Sequence, residues 1–494
     1  MRGISFGSRL LAIAVAALLV AGCRGAAGAG SSSAIPFRVA QRGEAPIGPL
    51  NRGPLDKIKH IVIIIQENRT LNNLFNGYPG ATTTKFGYIS TSKQKIELQP
   101  VTIATRWDLQ HNANAFFDGC NGTGKIPGTD CRMNGFNKEY WTCGTPHNPK
   151  CPDKYPPYSY VPQDQVKPYF DMARQYVLAD EFFASDFDIS SFISHQYIIA
   201  GLNPNSTVNY PETAWGCPGG PTDKIFKLNP DRKISLMPIA VTCWSPTTLG
   251  QELDAKGISW AYYAASVNGV KGVPECGGKG PDAGKGRHGI WSAYQAIKYI
   301  CYGSGGSGGS GGSDWDNNVI SPPQQFITDV QNGNLRAVTW VTPTNINSDH
   351  PGNGSLTGPS WVASLVNAVG ESPFWDSTAI FIFWDDPGGW YDPVAPKYVD
   401  NDGLGFRLPL LIISPYAKQG FVSHTHYEHG SILKFVEDRF GLPRMEASDS
   451  RANSPAKYAF DFSKGPRKFV PIKSKYDLDF FLNQPLDTRP PDDN

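Results

Sequence analysis

The sequence predicts an α/β protein: a mostly parallel central sheet with helices on both faces and loop-rich, disulfide-stapled insertions. Three observations predict it. Continuous aliphatic runs recur at wide spacing, amphipathic helical stretches lie between them, and eight of the nine cysteines crowd between positions 120 and 301. Unbroken apolar runs are what strands need when both faces of a sheet are covered, and alternation of strand with helix favours parallel pairing.

In chain order, residues 1–23 read as an export signal. Arg2 and Arg9 precede the apolar run Leu10 to Val20, long enough for a signal core and short for a membrane span. The "VAGC" that follows resembles the lipobox of bacterial lipoproteins, so lipidation of Cys23 and attachment to a membrane are expected; a plain secretory signal is the alternative. Either way the chain is exported, to the periplasm, the outer membrane or the medium. Residues 24–54 read as a flexible linker and 55–494 as one domain with insertions around 120–320.

Expected strands are Ile61–Ile65, Tyr176–Phe183, Ser259–Tyr263, Ala337–Val341, Thr378–Trp384 and Leu408–Ile413. One helix should start at Ser360 as N-cap, place Trp361, Val362, Leu365, Val366 and Val369 on one face, and stop before Pro373. A second should run from Gly430, with Ile432, Leu433, Val436 and Phe440 on one face, to Gly441 and Pro443. "GSGGSGGSGGS" at Gly303–Ser313 has almost no side chains to pack and carries no chemistry. With Cys23 set aside, eight cysteines in an exported chain imply disulfides. Connectivity stays open, although neighbour pairing (120 with 131, 143 with 151, 217 with 243, 276 with 301) closes short loops. The absence of any C-x-x-C argues against a zinc ribbon.

Composition excludes one class of partner. With 45 basic and 44 acidic side chains there is no global field to attract a polyanion, and no dense Lys/Arg stripe occurs, so nucleic acid is not expected to bind.

The chemistry should lie where strands end, because there the chain leaves the buried layer. The first strand runs into Gln66, Glu67, Asn68 and Arg69; the fifth runs into Asp385 and Asp386 before a Pro-Gly-Gly turn. Three carboxylates and an amide brought together repel one another unless a cation sits among them, and hard oxygen donors suit Mg, Ca or Mn, with Zn also able to accept them. Taken singly, Asn68 could be a helix cap and Asp385-Asp386-Pro-Gly a turn. The segment "FFASDFDISSFISHQYIIAG" offers Ser190, Ser191 and Ser194 at a strand-to-helix turn, where a hydroxyl can serve as nucleophile. His195, four residues after Ser191 on the same helical face, is expected to be packed or solvated. His111 lies in "WDLQHNANAFFDG", and His350 and His424 follow expected strands. His426 and His429 are expected at the surface, the H-x-H-x-x-H spacing being a weak metal signal.

Five blocks together resemble a known family: "IKHIVIIIQENRTLNNLF", "SSFISHQYIIAG", "NSDHPGNGSLTGPSWVASLVNAVGES", "AIFIFWDDPGGWYDPVAP" and "RLPLLIISPYAKQGFVSHTHYEHGSILKFVEDRFGLP". They are similar to the bacterial phosphoesterases, secreted acid phosphatases and phospholipases C, of the alkaline-phosphatase-like superfamily. The resemblance covers nearly all of the chain after residue 57. It implies Glu67, Asn68, Asp385 and Asp386 as ligands of a divalent metal, Ser191 as a nucleophile that also touches the metal, and His111 and His350 on the phosphoryl or leaving-group oxygens, with Asp349 beside His350. The implied substrate is a phosphate-ester small molecule or a phospholipid headgroup, the phosphatase branch being the closer in wording. The chain departs from the family at Ile189, Ser190 and Ile193, where Gly, Pro and Pro are usual, and at Pro393, where His is common. The first departures loosen the choice of Ser191 over Ser190, and all four motivate a different reading, a noncatalytic envelope lipoprotein that binds a ligand.

Overall fold

The computed structural model describes residues 53–90, 94–144, 150–208, 217, 226–236, 243–267, 289–302, 313–445 and 448–492. All six expected strands form. In chain order the central strands are β1 (His60–Gln66), β2 (Val177–Phe183), β3 (Trp260–Tyr263), β4 (Val319–Ile320), β5 (Val338–Val341), β6 (Thr378–Trp384), β7 (Arg407–Ile413), β8 (Phe421–Ser423) and β9 (Tyr427–Glu428). They line up as β4-β3-β5-β1-β6-β7-β2-β8, with β9 also pairing with β2.

Every neighbouring pair is parallel except the two pairs made by β7. The reason lies in the connection. Parallel neighbours need a crossover, usually a helix, whereas residues 385–406 between β6 and β7 hold only turns and irregular backbone, so the chain returns in the opposite sense. The aliphatic residues Ile61 to Ile65 of β1 are at most 1% exposed, which is why that run carries no alternation.

Four helices matter for the site: α1 (Ala113–Cys120), α2 (Ser191–Ala200), α3 (Gly358–Gly370) and α4 (His429–Phe440). α3 starts two residues before the expected Ser360, with Thr357 at its N-cap position and Pro359 in its first turn. α4 is opened by reciprocal hydrogen bonding between Glu428 and Ser431 and closed by Gly441 in the left-handed region at φ 64°.

Disulfides join Cys120 to Cys131, Cys143 to Cys151 and Cys217 to Cys243. Cys301 is also disulfide-bonded, while Cys276 lies outside the described residues. The expected signal, Cys23 and the linker up to residue 52 lie outside them too, as does Gly303–Ser313 except for Ser313, which opens a short helix. Gly53–Lys57, expected in part as linker, is a 3-10 turn. Among the described residues no helix is long and apolar enough to cross a membrane.

Candidate active site

The polar run that ends β1 is built into the sheet's carboxyl edge residue by residue. Gln66 is the last partner of Trp384 in the β1–β6 ladder, and its amide donates to Asn347 O (3.1 Å) while accepting from Asp349 N–H (2.9 Å). Arg69, wholly buried, donates to the carbonyls of Asp349 and Ile103 (both 2.9 Å) and lies over Trp390. These two tie the loop that carries His350 to β1. Between them, Glu67 faces His195, and Asn68 faces Asp385 and Asp386.

Backbone geometry brings the carboxylates together. Asp385 N–H continues the ladder to Gln66 O (2.9 Å), and Asn68 adopts φ 57°, a left-handed turn that asparagine tolerates. Its N–H reaches Asp385 Oδ1 at 3.3 Å and its Nδ2 donates to Asp386 Oδ2 at 3.0 Å. Gly388, at φ 61°, accepts no side chain: a Cβ there would stand 2.3 Å from Asn68 O. The Pro-Gly-Gly turn is thus the close approach that bends Asp385 and Asp386 toward one point, and Gly388 N–H donates to Asp386 Oδ1 (2.7 Å).

Glu67, Asn68, Asp385 and Asp386 are all completely buried. Among the described residues both Glu67 oxygens, Asn68 Oδ1, Asp385 Oδ2 and the neighbouring His195 Nε2 make no hydrogen bond. Buried acceptors without donors are costly, and native structures rarely leave several in one place without a cation. Burial, and then repulsion from the Asp385 carboxylate, raises both Glu67 and Asp386 well above the usual carboxylate range. The donor set therefore fits a divalent cation. Glu67, His195 and Asp385 lie within reach of one common ion, as do His111, Asp386 and Asp492.

Ser191 is brought in from β2. After Phe183 the chain runs through residues 184–190 and holds Ile189 at φ 48°, a strained value for a β-branched residue, before α2 begins. Ser191 Oγ donates to Asp386 Oδ2 (2.9 Å) and to Asp492. Ser190 Oγ instead donates to Asp188, away from the four cage residues.

Beside the cage, His111, His350 and the cage residue Asn68 meet the Asp492 carboxylate that Ser191 also reaches. His111 Nε2 lies 3.4 Å from Asp492 Oδ2, His350 Nε2 lies 3.1 Å from Asp492 Oδ1, and Asn68 Nδ2 donates to Asp492 Oδ2 at 3.2 Å. His111 Nδ1 sits 2.7 Å from Leu109 O, which orients the ring, and the two imidazoles pack edge to face. Burial alone would lower His350, but the Asp492 and Asp108 carboxylates outweigh it and raise it to about 9. His111 is likewise raised, burial again being overcome by Asp108 and Asp492. Asp492 itself, penalised by burial, is held well below the usual range by His350 and His111.

Asp349 lies beside His350 but turns elsewhere: its Oδ2 accepts from Tyr169 Oη (2.7 Å) and Trp384 Nε1 (3.1 Å), and burial raises it to about 6. His424 pairs with Asp180 at 2.8 Å with its side chain 58% exposed. The surface expectation for His429 is overturned. It is 1% exposed among Phe182 and Phe383 at the start of α4, and burial lowers it to about 3. His426 is half-buried against the Phe183 ring. No group of ligating side chains among the described residues includes any of these three histidines.

Two site residues were missed. His195 was expected to be packed or solvated, and only the tertiary structure shows that its ring meets Glu67 and Asp385 (3.6 and 3.5 Å). Asp492 had no signal at all, since an acid in "RPPDDN" reads as a solvated charge.

A helix-start hydroxyl, an acceptor-only cage for a cation and a cluster of anion-seeking donors, all at the carboxyl edge of a mostly parallel sheet, define a phosphoric ester hydrolase. The chain belongs to the phosphoesterase family, whose profile matches residues 58–443. It is 24% identical over 441 residues to phospholipase C B of Mycobacterium tuberculosis, covering 79% of this chain and 75% of that one. It is 25% identical over 451 residues to a non-hemolytic phospholipase C of Burkholderia pseudomallei (84% and 60%) and 22% identical over 487 residues to non-specific phospholipase C1 of Arabidopsis thaliana (90% and 77%). Among solved structures, an alkaline phosphatase superfamily protein from Vibrio parahaemolyticus aligns over 80% of this chain and 70% of its own, at 11% identity and a TM-score of 0.33.

Proposed function

We propose that this phosphoesterase is a metal-dependent phosphomonoesterase of the acid phosphatase kind, exported, anchored through a lipidated Cys23, and acting through Ser191. One observation carries the reading. Ser191 Oγ, Asn68 Nδ2, His111 Nε2 and His350 Nε2 converge on the Asp492 carboxylate beside a cage of buried acceptors. The two Asp492 oxygens stand in for two oxygens of a phosphoryl group. Two imidazoles raised toward the cationic form suit a dianionic monoester better than a monoanionic diester.

Glu67, Asn68, Asp385, Asp386 and Ser191 would hold the cation. When bound there, a divalent ion lowers the pKa of a hydroxyl and offsets charge on phosphoryl oxygens. The chain's own groups do the rest. Ser191 Oγ gives its proton to Asp386 Oδ2, bonds to phosphorus, and the bond from phosphorus to the leaving oxygen breaks as that oxygen takes a proton from His350 or His111 Nε2. Water then attacks the phosphoseryl group and gives a proton to the imidazole, and the bond from phosphorus to Oγ breaks as Oγ takes back its proton from Asp386, releasing orthophosphate. Asp349 keeps the His350 loop in place through Tyr169 and Trp384.

The names of the relatives favour a second reading, hydrolysis of a phospholipid diester. Comparing p-nitrophenyl phosphate with p-nitrophenyl phosphorylcholine, in wild type and Ser191→Ala with added Mn, Zn, Mg or Ca, decides. Monoester turnover lost in the variant supports the first reading and diester preference the second. Phosphate binding without turnover of either ester supports the binding-lipoprotein alternative.

A further inference from the structure

We propose that His195 is a nitrogen ligand of the cation, and that it makes the site selective for a zinc-class ion over Mg or Ca. This deepens the reading above and borrows from it only the presence of a cation between Glu67 and Asp385. The ring is fully buried, and its Nε2 stands 3.6 Å from Glu67 Oε1 and 3.5 Å from Asp385 Oδ2 without a hydrogen bond. Atoms that each bind one zinc-class ion at about 2.1 Å in a tetrahedron lie about 3.4 Å from one another, so the spacing matches three ligands around one centre. The other ring nitrogen is 3.3 Å from Tyr262 Oη, and Trp291 packs edge-on against the ring. An imidazole whose Nδ1–H is given to an oxygen presents a bare Nε2, the usual arrangement at a metal.

Helix geometry adds a reason. His195 and Ser191 are one turn apart on α2, so a single rigid helix presents nucleophile and nitrogen donor to the same cage. Nitrogen donors favour Zn and Mn over the alkaline earths, with Zn the stronger of the two; Ca prefers six to eight oxygens and Mg keeps much of its water.

Chelator-stripped protein reloaded with Mn(II) tests this without any substrate, by electron spin echo on natural and 15N-histidine-labelled material. One imidazole nitrogen coupling is expected in wild type and none in His195→Ala or His195→Gln. In competition titrations both variants should lose at least about tenfold in Zn affinity while Mg affinity moves less than threefold. Absence of nitrogen coupling in wild type, or Zn affinity kept within threefold in folded variants, overturns the proposal. If neither variant folds, His111→Ala decides: its nitrogen coupling should persist, and loss of the coupling there overturns the proposal. A protein that binds Mn through nitrogen yet hydrolyses no phosphoester would sink the function and leave this ligand standing.

A different observation carries a second inference: the segment Gln484–Asp492 is an internal competitor of the substrate. It is strapped to the turn just ahead of His350, with Asn347 Nδ2 donating to Gln484 Oε1 (2.7 Å), Ile346 N–H to Asp487 Oδ2 (2.8 Å) and Asn345 Nδ2 to Pro490 O (2.9 Å). The strap delivers the Asp492 carboxylate, 6% exposed, to the four donors a phosphoryl group needs. A tethered group competes at an effective concentration of roughly millimolar, so a phosphoester binds only as the carboxylate leaves. Deleting residues 484–494 or making Asp492→Ala should lower KM for p-nitrophenyl phosphate at least about fivefold, and a synthetic peptide of residues 484–494 should then inhibit competitively. Orthophosphate binding by calorimetry should tighten in parallel, a readout that survives if turnover is absent. Unchanged or weaker phosphate binding in both variants, or a collapse of kcat in Asp492→Ala, overturns the inference.

Discussion

The two halves of the cleft are opposites. On the side of β1 and β6, both Glu67 oxygens, Asn68 Oδ1, Asp385 Oδ2 and His195 Nε2 have no hydrogen-bond partner among the described residues. On the other side, Ser191, Asn68 Nδ2, His111 and His350 crowd hydrogens and positive charge around one carboxylate. Asn68 belongs to both, oxygen toward one and nitrogen toward the other. The contrast teaches that polarity can be read from which partner is missing: one half calls for a cation and the other already holds an anion.

Several measurements would break or sharpen that contrast. The largest effect is expected at the boundary, where Ser191→Ala should reduce turnover of the best phosphoester by at least about a thousandfold while circular dichroism stays unchanged. Next comes the acceptor half. Glu67→Gln and Asp385→Asn should abolish tight metal binding and cut activity by about 10² or more; the metal-free Glu67→Gln protein should melt close to metal-free wild type, because burial already raises Glu67 well above the usual carboxylate range, whereas Asp385→Asn should melt lower, since its carboxylate pairs with His195. A variant that keeps its metal would break the contrast. On the donor half, His350→Ala should weaken orthophosphate binding about ten- to a hundredfold with metal content unaltered. Gly388→Ala should strain the turn and push against Asn68 O, costing about 1–3 kcal/mol of stability as well as activity, which thermal melts would show.

The smallest effect is in pH. His350 is raised from 6.5 to about 9 by Asp492, so its contribution is complete below about pH 6.5 and is lost as pH climbs through 9. The loss should amount to no more than about 3 kcal/mol, seen as Tm falling between pH 6.5 and 9.5, and Asp492→Asn should flatten that slope.

How much of this could be read in the sequence depended on the physics involved. Strands buried on both faces announce themselves as aliphatic runs, so β1, β6 and β7 were legible, and the carboxylates at the ends of β1 and β6 with them. The direction of β7 was not, since a strand looks alike from either end and its sense follows from a connection lacking a helix. The two- and three-residue strands β4, β8 and β9 are too short to carry a pattern. Ser191 came from the family resemblance, and the local rule that serines open helices could not separate it from Ser190. His195 and His429 were misjudged because burial belongs to the tertiary structure. Asp492 was invisible because its place depends on Asn345, Ile346 and Asn347, far away in the chain.

The reversed strand β7 also fixes a dimension. It lies between β6, which ends in Asp385 and Asp386, and β2, which leads through residues 184–190 to Ser191, so the two strands stand about two strand widths apart, roughly 10 Å, and residues 184–190 carry Ser191 back to within 2.9 Å of Asp386. Its first residue, Arg407, is fully buried and locks the opening by donating to both oxygens of Asp392 (2.8 and 3.0 Å) and to Asp180 O (2.7 Å). The separation of these two strands is therefore gauged by a hydrogen-bonded ladder and not by a hinge, and the segment 184–190 closes the gap between Ser191 and Asp386. The spacing of the strands that lead to the site is set when the sheet folds, leaving the connecting loops as the place where different alcohols would be told apart.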